Sequence, residues 1–190
     1  MSEKKDNGFS TKAIVATGLG AALFLVLFYF VKIPSPIPET NFQIAYGVSA
    51  FFGALFGPLV GFLVAFVGHA LNDFIGYGSP WWSWVIASGV SGLVAGLCRK
   101  KVAPAVEEGR FGKAEAVTFS IYAVVGCAVA FILIAPLGDI VIYAEPANKV
   151  FAQGAMSFVI DAVTSVVVGL ILLKAYAGTK TSKGSLSKED

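Results

Sequence analysis

The 21 residues from Ala13 to Ile33 carry a single charged side chain, Lys32. As a helix rising about 1.5 Å per residue, such a run reaches about 30 Å, the thickness of a bilayer's hydrocarbon layer. Apolar stretches recur as far as residue 173. Charged residues make up only 14% of the 190, where a water-soluble domain has about a quarter. That is too little charge to cover a globule, so the expected fold class is an all-α membrane protein. The net charge of +2 gives no reason to expect a nucleic acid partner. Cys98 and Cys127 lie in apolar segments at no metal-ligand spacing and read as small buried hydrophobes. The first apolar run is longer than a signal peptide's core and lacks a convincing cleavage site, so it reads as a retained span.

Breakers divide the chain. Residues 1–11 are a polar tail, and residues 12–33 form the expected first span. The stretch P-S-P-I-P-E-T-N-F, residues 34–42, has three prolines in alternate positions and reads as a stiff loop carrying Glu39 and Asn41, either a connector or a lid. Residues 43–76 are too long for one crossing. Gly57-Pro58 splits them into spans at 43–56 and 58–76, the first only about 21 Å long. A fourth span is expected at 83–97, stopped by Arg99, Lys100 and Lys101, and a polar link at 102–114. The fifth is expected at 115–137, ending at Pro136, with a loop at 138–147 and a sixth span at 148–173. The membrane domain is thus 12–175, and 176–190 is expected to be a disordered tail.

Six spans place both termini on one side. That side collects 12 of the 14 lysines and arginines, leaving Lys32 and Lys149 opposite. The positive-inside rule then predicts cytoplasmic termini, with the Pro-rich loop and the turn near residue 80 facing outward.

The polar residues concentrate in G-H-A-L-N-D-F-I-G-Y-G-S-P-W-W-S-W, residues 68–84, which holds the only histidine and all three tryptophans. His69 and Asp73 are four apart, on one helix face, with Asn72 beside them. Polar groups inside a span are costly unless they face protein or water, so these three form either a helix–helix hydrogen-bond cluster or a ligand contact. One histidine and one aspartate make a poor metal site, and no metal or cofactor is expected. Tyr77 lies in the turn. Trp81, Trp82 and Trp84 read either as an interfacial aromatic belt or, for one or two of them, as a pocket wall that stacks on a flat ring. Asn148 and Gln153, near the outer end of the sixth span, are expected to converge with them. Asp161 lies deeper and reads as a structural partner, or alternatively as a ligand or proton-coupling group. In the first span, Ala16 with Gly20 and Gly18 with Ala22 are small-x-x-x-small pairs suited to close helix approach, within the chain or to another membrane protein. No Walker loop, G-x-S-x-G or H-E-x-x-H motif is present, so any ATP-driven step needs another chain and catalysis has no recognisable set.

Together, A-T-G-L-G-A-A-L from Ala16, P-S-P-I-P-E-T-N, F-G-P-L-V-G-F from Phe56, G-H-A-L-N-D and G-S-P-W-W-S-W resemble the S components of energy-coupling factor (ECF) transporters, closest to the riboflavin-transporter-like subgroup. The resemblance spans about residues 12–175 and implies a multi-pass cell-membrane protein, not an enzyme. It implies capture of a vitamin from outside, in a pocket closed by the first, third and fifth loops. Riboflavin is the usual label; cobalamin, pyridoxine-type and pyrimidine compounds stay open. It further implies docking on a transmembrane coupling protein served by two ATPase subunits, with toppling in the membrane to release the vitamin. The family's docking signature is Ala-x-x-x-Ala on the first helix. Ala16/Gly20 and Gly18/Ala22 occupy the matching places with glycine substituted. An intramembrane enzyme built on His69 and Asp73, or a scaffold without ligand, are the alternatives.

Overall fold

The structure, a computed structural model, describes residues 10–180. Helix α1 (Thr11–Phe30) starts where the Ser10 hydroxyl accepts the Ala13 N–H at 3.2 Å, an N-cap. It stops three residues before the expected end of the first span. The chain then forms a short antiparallel hairpin, β1 (Lys32–Pro34) with β2 (Asn41–Gln43), pairing Lys32 with Gln43 and Pro34 with Asn41. The expected loop at 34–42 is therefore the tip and second strand of a hairpin. Two short strands with no further neighbour tolerate prolines that donate no hydrogen bond, and the Ser35 N–H closes the tip onto the Thr40 carbonyl at 3.0 Å.

Next come α2 (Ala45–Phe56) and α3 (Pro58–Tyr77). They are separated at Gly57, whose φ of 115° few other residues adopt, and Pro58 takes the first helical position. Then follow α4 (Trp82–Gly96), α5 (Arg99–Glu107) and α6 (Lys113–Ala128). A π-helical segment (Val129–Ile134) leads into α7 (Ala135–Tyr143), and α8 (Ala147–Gly178) completes the chain. Among the described residues, four helical runs are long and apolar enough to cross a membrane: α1, α3, the continuous run Lys113–Tyr143, and α8. Helices α2 and α4 are shorter and also apolar.

Three further expected boundaries moved, each for a physical reason. The presumed polar link at 102–114 contains α5, whose Val102, Ala103, Ala105 and Val106 are buried. Its charges lie on one face, and composition hid the apolar stripe on the other. The fifth helix does not end at Pro136, and the expected loop at 138–147 is mostly helix. The Ala135 N–H bonds the Ala130 carbonyl, one residue further back than in an α-helix. The widened turn just ahead of Pro136 takes up the missing donor and the ring's steric demand. Finally, α8 runs to Gly178, so the tail expected to be disordered begins in helix. Residues 1–9 and 181–190, most of both expected tails, lie outside the described residues.

Packing relies on small residues where helices cross, since lipid offers no hydrophobic drive for association. At the α3–α4 crossing, a Cβ on Gly61 or on Gly92 would collide with the other's carbonyl oxygen. A Cβ on Gly53 of α2 would sit 2.8 Å from that same Gly92 oxygen. A second close approach joins α8 to the π segment, where a Cβ on Gly154 would strike the Phe131 carbonyl. Around these seams the core is aromatic. The Tyr46 ring meets Phe24, Phe28 and Phe131 edge-on, with centroids 5.2–5.9 Å apart.

The two ends of the bundle differ in charge. At one, Glu107 pairs with Lys12 at 3.5 Å and with Lys180 at 3.0 Å, gathering the start of α1, the end of α5 and the end of α8. The Lys180 hydrogen bond holds the Glu107 carboxyl below its usual range, with the Lys12 and Lys180 charges acting the same way. The hairpin lies at the opposite end, where α1 finishes, and so does the candidate site.

Candidate functional site

Helix α3 brings its polar face to this end because His69, Asn72 and Asp73 repeat at helical spacing on the buried side. The helix then stops at Gly78 in the left-handed conformation, φ 82°. The chain can therefore turn back directly into α4 with its tryptophans.

A hydrogen-bonded line crosses the floor of the site. The Tyr46 and Ser88 hydroxyls are 2.8 Å apart, and Ser88 Oγ is 2.7 Å from His69 Nδ1. His69 Nε2 lies 3.5 Å from Asp73 Oδ1. Asn72 Nδ2 donates to that same Oδ1 at 3.0 Å, and the Trp81 N–H donates to Asp73 Oδ2 at 3.0 Å. One consistent donor sequence runs from the Tyr46 hydroxyl through Ser88 and His69 to the Asp73 carboxylate. All five side chains, Tyr46, His69, Asn72, Asp73 and Ser88, are buried. Their polar atoms are therefore held by one another rather than by bulk water, as low-dielectric surroundings require.

The wall is organised by a residue that the sequence reading passed over. Asp139, on α7, is buried and accepts from Trp81 Nε1 at 2.7 Å, from Trp84 Nε1 at 2.8 Å and from the Ser83 hydroxyl. Two of the three tryptophans are thus pinned by their indole N–H groups to one carboxylate. The Trp81 ring also packs on Tyr143, centroids 4.2 Å apart. The signal was available: a lone carboxylate in an apolar run is the feature that singled out Asp73. Pro136 makes 138–147 read as a loop, where an aspartate carries no information.

The hairpin covers the mouth. Lys149 on α8 bridges Glu39 at 3.1 Å and Glu145 at 3.0 Å, and Gln153 Nε2 donates to the Pro38 carbonyl at 3.1 Å and to Glu39 at 3.3 Å. Glu39 is held at φ 61° in this arrangement.

These groups enclose a cavity of about 540 Å³. Of the residues singled out from sequence, Asn41, His69, Asn72, Asp73, Tyr77, Trp81, Trp84 and Gln153 line it. Two do not. Trp82 turns its ring toward Phe66, centroids 6.2 Å apart, and is 42% exposed on the bundle's outer surface. Its neighbours at 81 and 84 lie nearly one turn apart on the inner face, which leaves residue 82 outside. Asn148 is exposed on the first turn of α8, while Gln153 is buried. They are five residues apart and so project in different directions. Lining residues that the sequence did not single out include Phe28, Gln43, Tyr46, Asp139, Glu145 and Lys149, while Glu39 was expected on a loop that connects or covers. Asp161 is buried outside the cavity lining, and its Oδ1 has no hydrogen-bond partner. The small-residue pairs of α1 separate cleanly. Ala16 and Gly20 are buried, a Cβ on Gly20 falling 2.6 Å from Val64 Cγ2. Gly18 and Ala22 are exposed, and a Cβ on Gly18 would meet nothing within 4 Å.

Among the described residues no group of three histidine, cysteine or acidic side chains could hold a metal ion. A mainly helical bundle with membrane-length apolar helices and a polar and aromatic cavity at one end is the arrangement of a membrane protein that can hold a small solute. Comparison with known proteins makes this specific. The model of the family "ECF-type riboflavin transporter, S component" matches residues 8–178, and the chain belongs to that family. Its members are substrate-binding transport proteins of the membrane, not enzymes. A "UPF0397 protein" of Streptococcus gordonii is 51% identical, the match covering 97% of both chains. A "UPF0397 protein" of Lactobacillus helveticus is 49% identical over 98% of this chain and all of the relative. Among solved structures, the crystal structure of FolT bound with folic acid matches with a TM-score of 0.59 at 13% identity. That match covers 86% of this chain and 98% of FolT. At that identity the likeness is one of fold.

Proposed function

We propose that the protein captures one small water-soluble vitamin-type molecule in the cavity under the hairpin and passes it to an ATP-driven ECF module. The observation that carries this reading is the cavity itself: about 540 Å³, with polar side chains converging on its floor and indole and phenyl rings on its wall. Ligand sites for small molecules are typically about 300–1,000 Å³; this one is more polar than most, which suits a water-soluble ligand. In this reading the chain crosses the membrane six times, α2 and α4 completing the set with the four long runs. The end bearing Lys12, Arg99 and Lys180 is cytoplasmic by the positive-inside rule, so the cavity opens outward. The hairpin, latched by Lys149 and Gln153, is the lid.

Release is assigned to a partner, since the sequence contains no Walker loop with which to bind ATP. We assign the docking surface on α1 to Gly18 and Ala22. They sit on the exposed face among Val15, Leu19 and Val26, whereas Ala16 and Gly20 are engaged inside the bundle. The exposed pair leaves a groove into which a coupling protein's helix can settle. The direct test is purification in mild detergent followed by mass spectrometry of co-purifying small molecules, alongside pull-down of ATPase-bearing complexes from a native membrane. A bound vitamin and a co-purifying ATPase module are the expected results. Absence of both would refute the capture reading.

A further inference from the structure

Resting on the capture reading, we infer that the ligand is a cationic, amine-bearing nitrogen heterocycle without carboxylate or phosphate groups. Charge is the first argument. Four carboxylates line the cavity, those of Glu39, Asp73, Asp139 and Glu145, against only two ammonium groups, Lys32 and Lys149. Both lysines are engaged near the mouth. Lys149 is shared between Glu39 and Glu145, and Lys32 lies over the Tyr29 ring at 5.5 Å. Among the described residues no arginine lines the cavity, and the basic group at its depth, the His69 imidazole, is already engaged by Ser88 and Asp73. Asp73 is 5% exposed, and its carboxylate is met by Asn72, the Trp81 N–H and His69 but by no lysine or arginine. An anionic ligand would face these carboxylates at reduced dielectric, whereas a cation would be attracted by them.

The second argument is independent of charge. Asn72 is 3% exposed, lines the cavity, and leaves Oδ1 without any hydrogen-bond partner. The amide orientation is dictated by Asp73. Its Oδ1 accepts from Asn72 Nδ2, and the flipped amide would set two oxygens against each other. Gln43 Oε1, on the hairpin strand β2, is likewise buried and unpartnered. Two orphaned atoms on residues that line the cavity are thus both acceptors, one from the floor and one from the lid. A buried acceptor left empty is costly, so a side-chain rotation that turns either one to an N–H or O–H of the ligand is favoured. A ring bearing amino groups can supply both, and supplies charge when protonated. The aromatic lining of Phe28, Tyr46, Trp81 and Trp84 suits a flat cation, which gains from ring faces as well as from burial.

The test uses the full chain in detergent micelles, with tryptophan quenching and calorimetry against a panel of probes. Thiamine and pyridoxamine represent amine-bearing cations, riboflavin a neutral ring system, and folate and pyridoxal 5′-phosphate the anions. Any small molecule that co-purifies is identified by mass spectrometry and added to the panel. The expected result is that the tightest ligand is an amine-bearing cation, bound at least tenfold better than any anion. Asn72→Leu and Asp73→Asn should each weaken it by about 10- to 100-fold, the range for losing a hydrogen bond to a charged group. The ranking of probes by the unaltered chain needs no variant, so a misfolded substitution does not stall the test. A carboxylate- or phosphate-bearing molecule, or riboflavin, as tightest ligand would overturn the inference and leave the capture reading standing. Binding of no probe, with nothing co-purifying, would overturn both.

Discussion

Asp139 offers the sharpest test of how the aromatic wall is held. Its carboxylate is 3% exposed and receives the indole N–H of Trp81, the indole N–H of Trp84 and the Ser83 hydroxyl. A hydrogen bond to a charged group contributes about 1.5–3 kcal/mol. The three do not simply add. Trp81 is 42% exposed, so its N–H regains water when the carboxylate is removed. Ser83 lies in the first turn of α4, so its hydroxyl can turn only toward a carbonyl of the preceding turn, at residues 79–80. Trp84, partly buried and packed on Phe131 with centroids 6.0 Å apart, has less access to water than Trp81. We therefore expect Asp139→Ala to cost about 4 kcal/mol. Asp139→Asn, which keeps one acceptor oxygen but presents an amide to the second indole, should cost about 2 kcal/mol. For a chain of this size those losses lower the unfolding midpoint by about 8–16 °C and 4–8 °C. Thermal unfolding in detergent, followed by tryptophan fluorescence, reads both. The same variants should weaken ligand binding at least about tenfold, because the indoles that form the wall lose their anchor. An Asp139→Ala protein that unfolds within 2 °C of the unaltered chain, with its affinity intact, would show that the indoles are placed by packing alone.

Three further outcomes follow from particular contacts. Gly18→Leu and Ala22→Leu should leave ligand binding by the isolated chain unchanged and abolish uptake in cells, whereas Gly20→Leu, driven into Val64, should impair the fold itself; equal loss of binding in all three would sink the docking assignment. Gly92→Ala, forced against the Gly61 carbonyl, should destabilise by about 1–3 kcal/mol in the same unfolding assay. Gly18→Ala is the matched control, expected to be neutral or slightly stabilising because it has open space and a better helix former. Glu107 supplies a pH test with a definite sign. Its folded carboxyl is held below the ordinary value of about 4.5 by the Lys180 hydrogen bond, so its contribution is present above that value and fades as pH falls through the folded pKa. The stability difference between the unaltered chain and Glu107→Gln should be small, well under about 1 kcal/mol for so exposed a group. It should be visible at pH 7 in low salt and should shrink as the pH is taken below about 4.5. A difference that grows on acidification would contradict the pairing.

Much of the site was legible from residue type and spacing. His69, Asn72 and Asp73 announced themselves because polar side chains are expensive inside an apolar helix, and their three- and four-residue spacing placed them on one face. The break at Gly57-Pro58 was equally plain, since proline starts helices and glycine accepts a φ that few other residues adopt. The tryptophans were flagged as a group, but which of them faced inward depends on where α4 begins. Once the helix starts at Trp82, residues 81 and 84 share the inner side and 82 does not. Pro136 misled in the opposite direction. Proline usually ends a helix, and nothing local announces the π turn that lets this one continue and carries Asp139 into the wall. The same holds for α5, whose charges hid a buried apolar stripe.

Hydrophobic run lengths, breakers and the sparse polar residues settle what this chain is: a helical membrane protein with its chemistry near one end. Those properties are short-range, written in neighbouring residues and their periodicity. Contacts between distant segments settle the rest. Asp139 meets Trp81 and Trp84 across more than fifty residues, and Gln153 reaches the hairpin tip across more than a hundred. Which small-residue face of α1 stays open likewise depends on where α2 and α3 come to lie, and no local pattern in α1 encodes that choice.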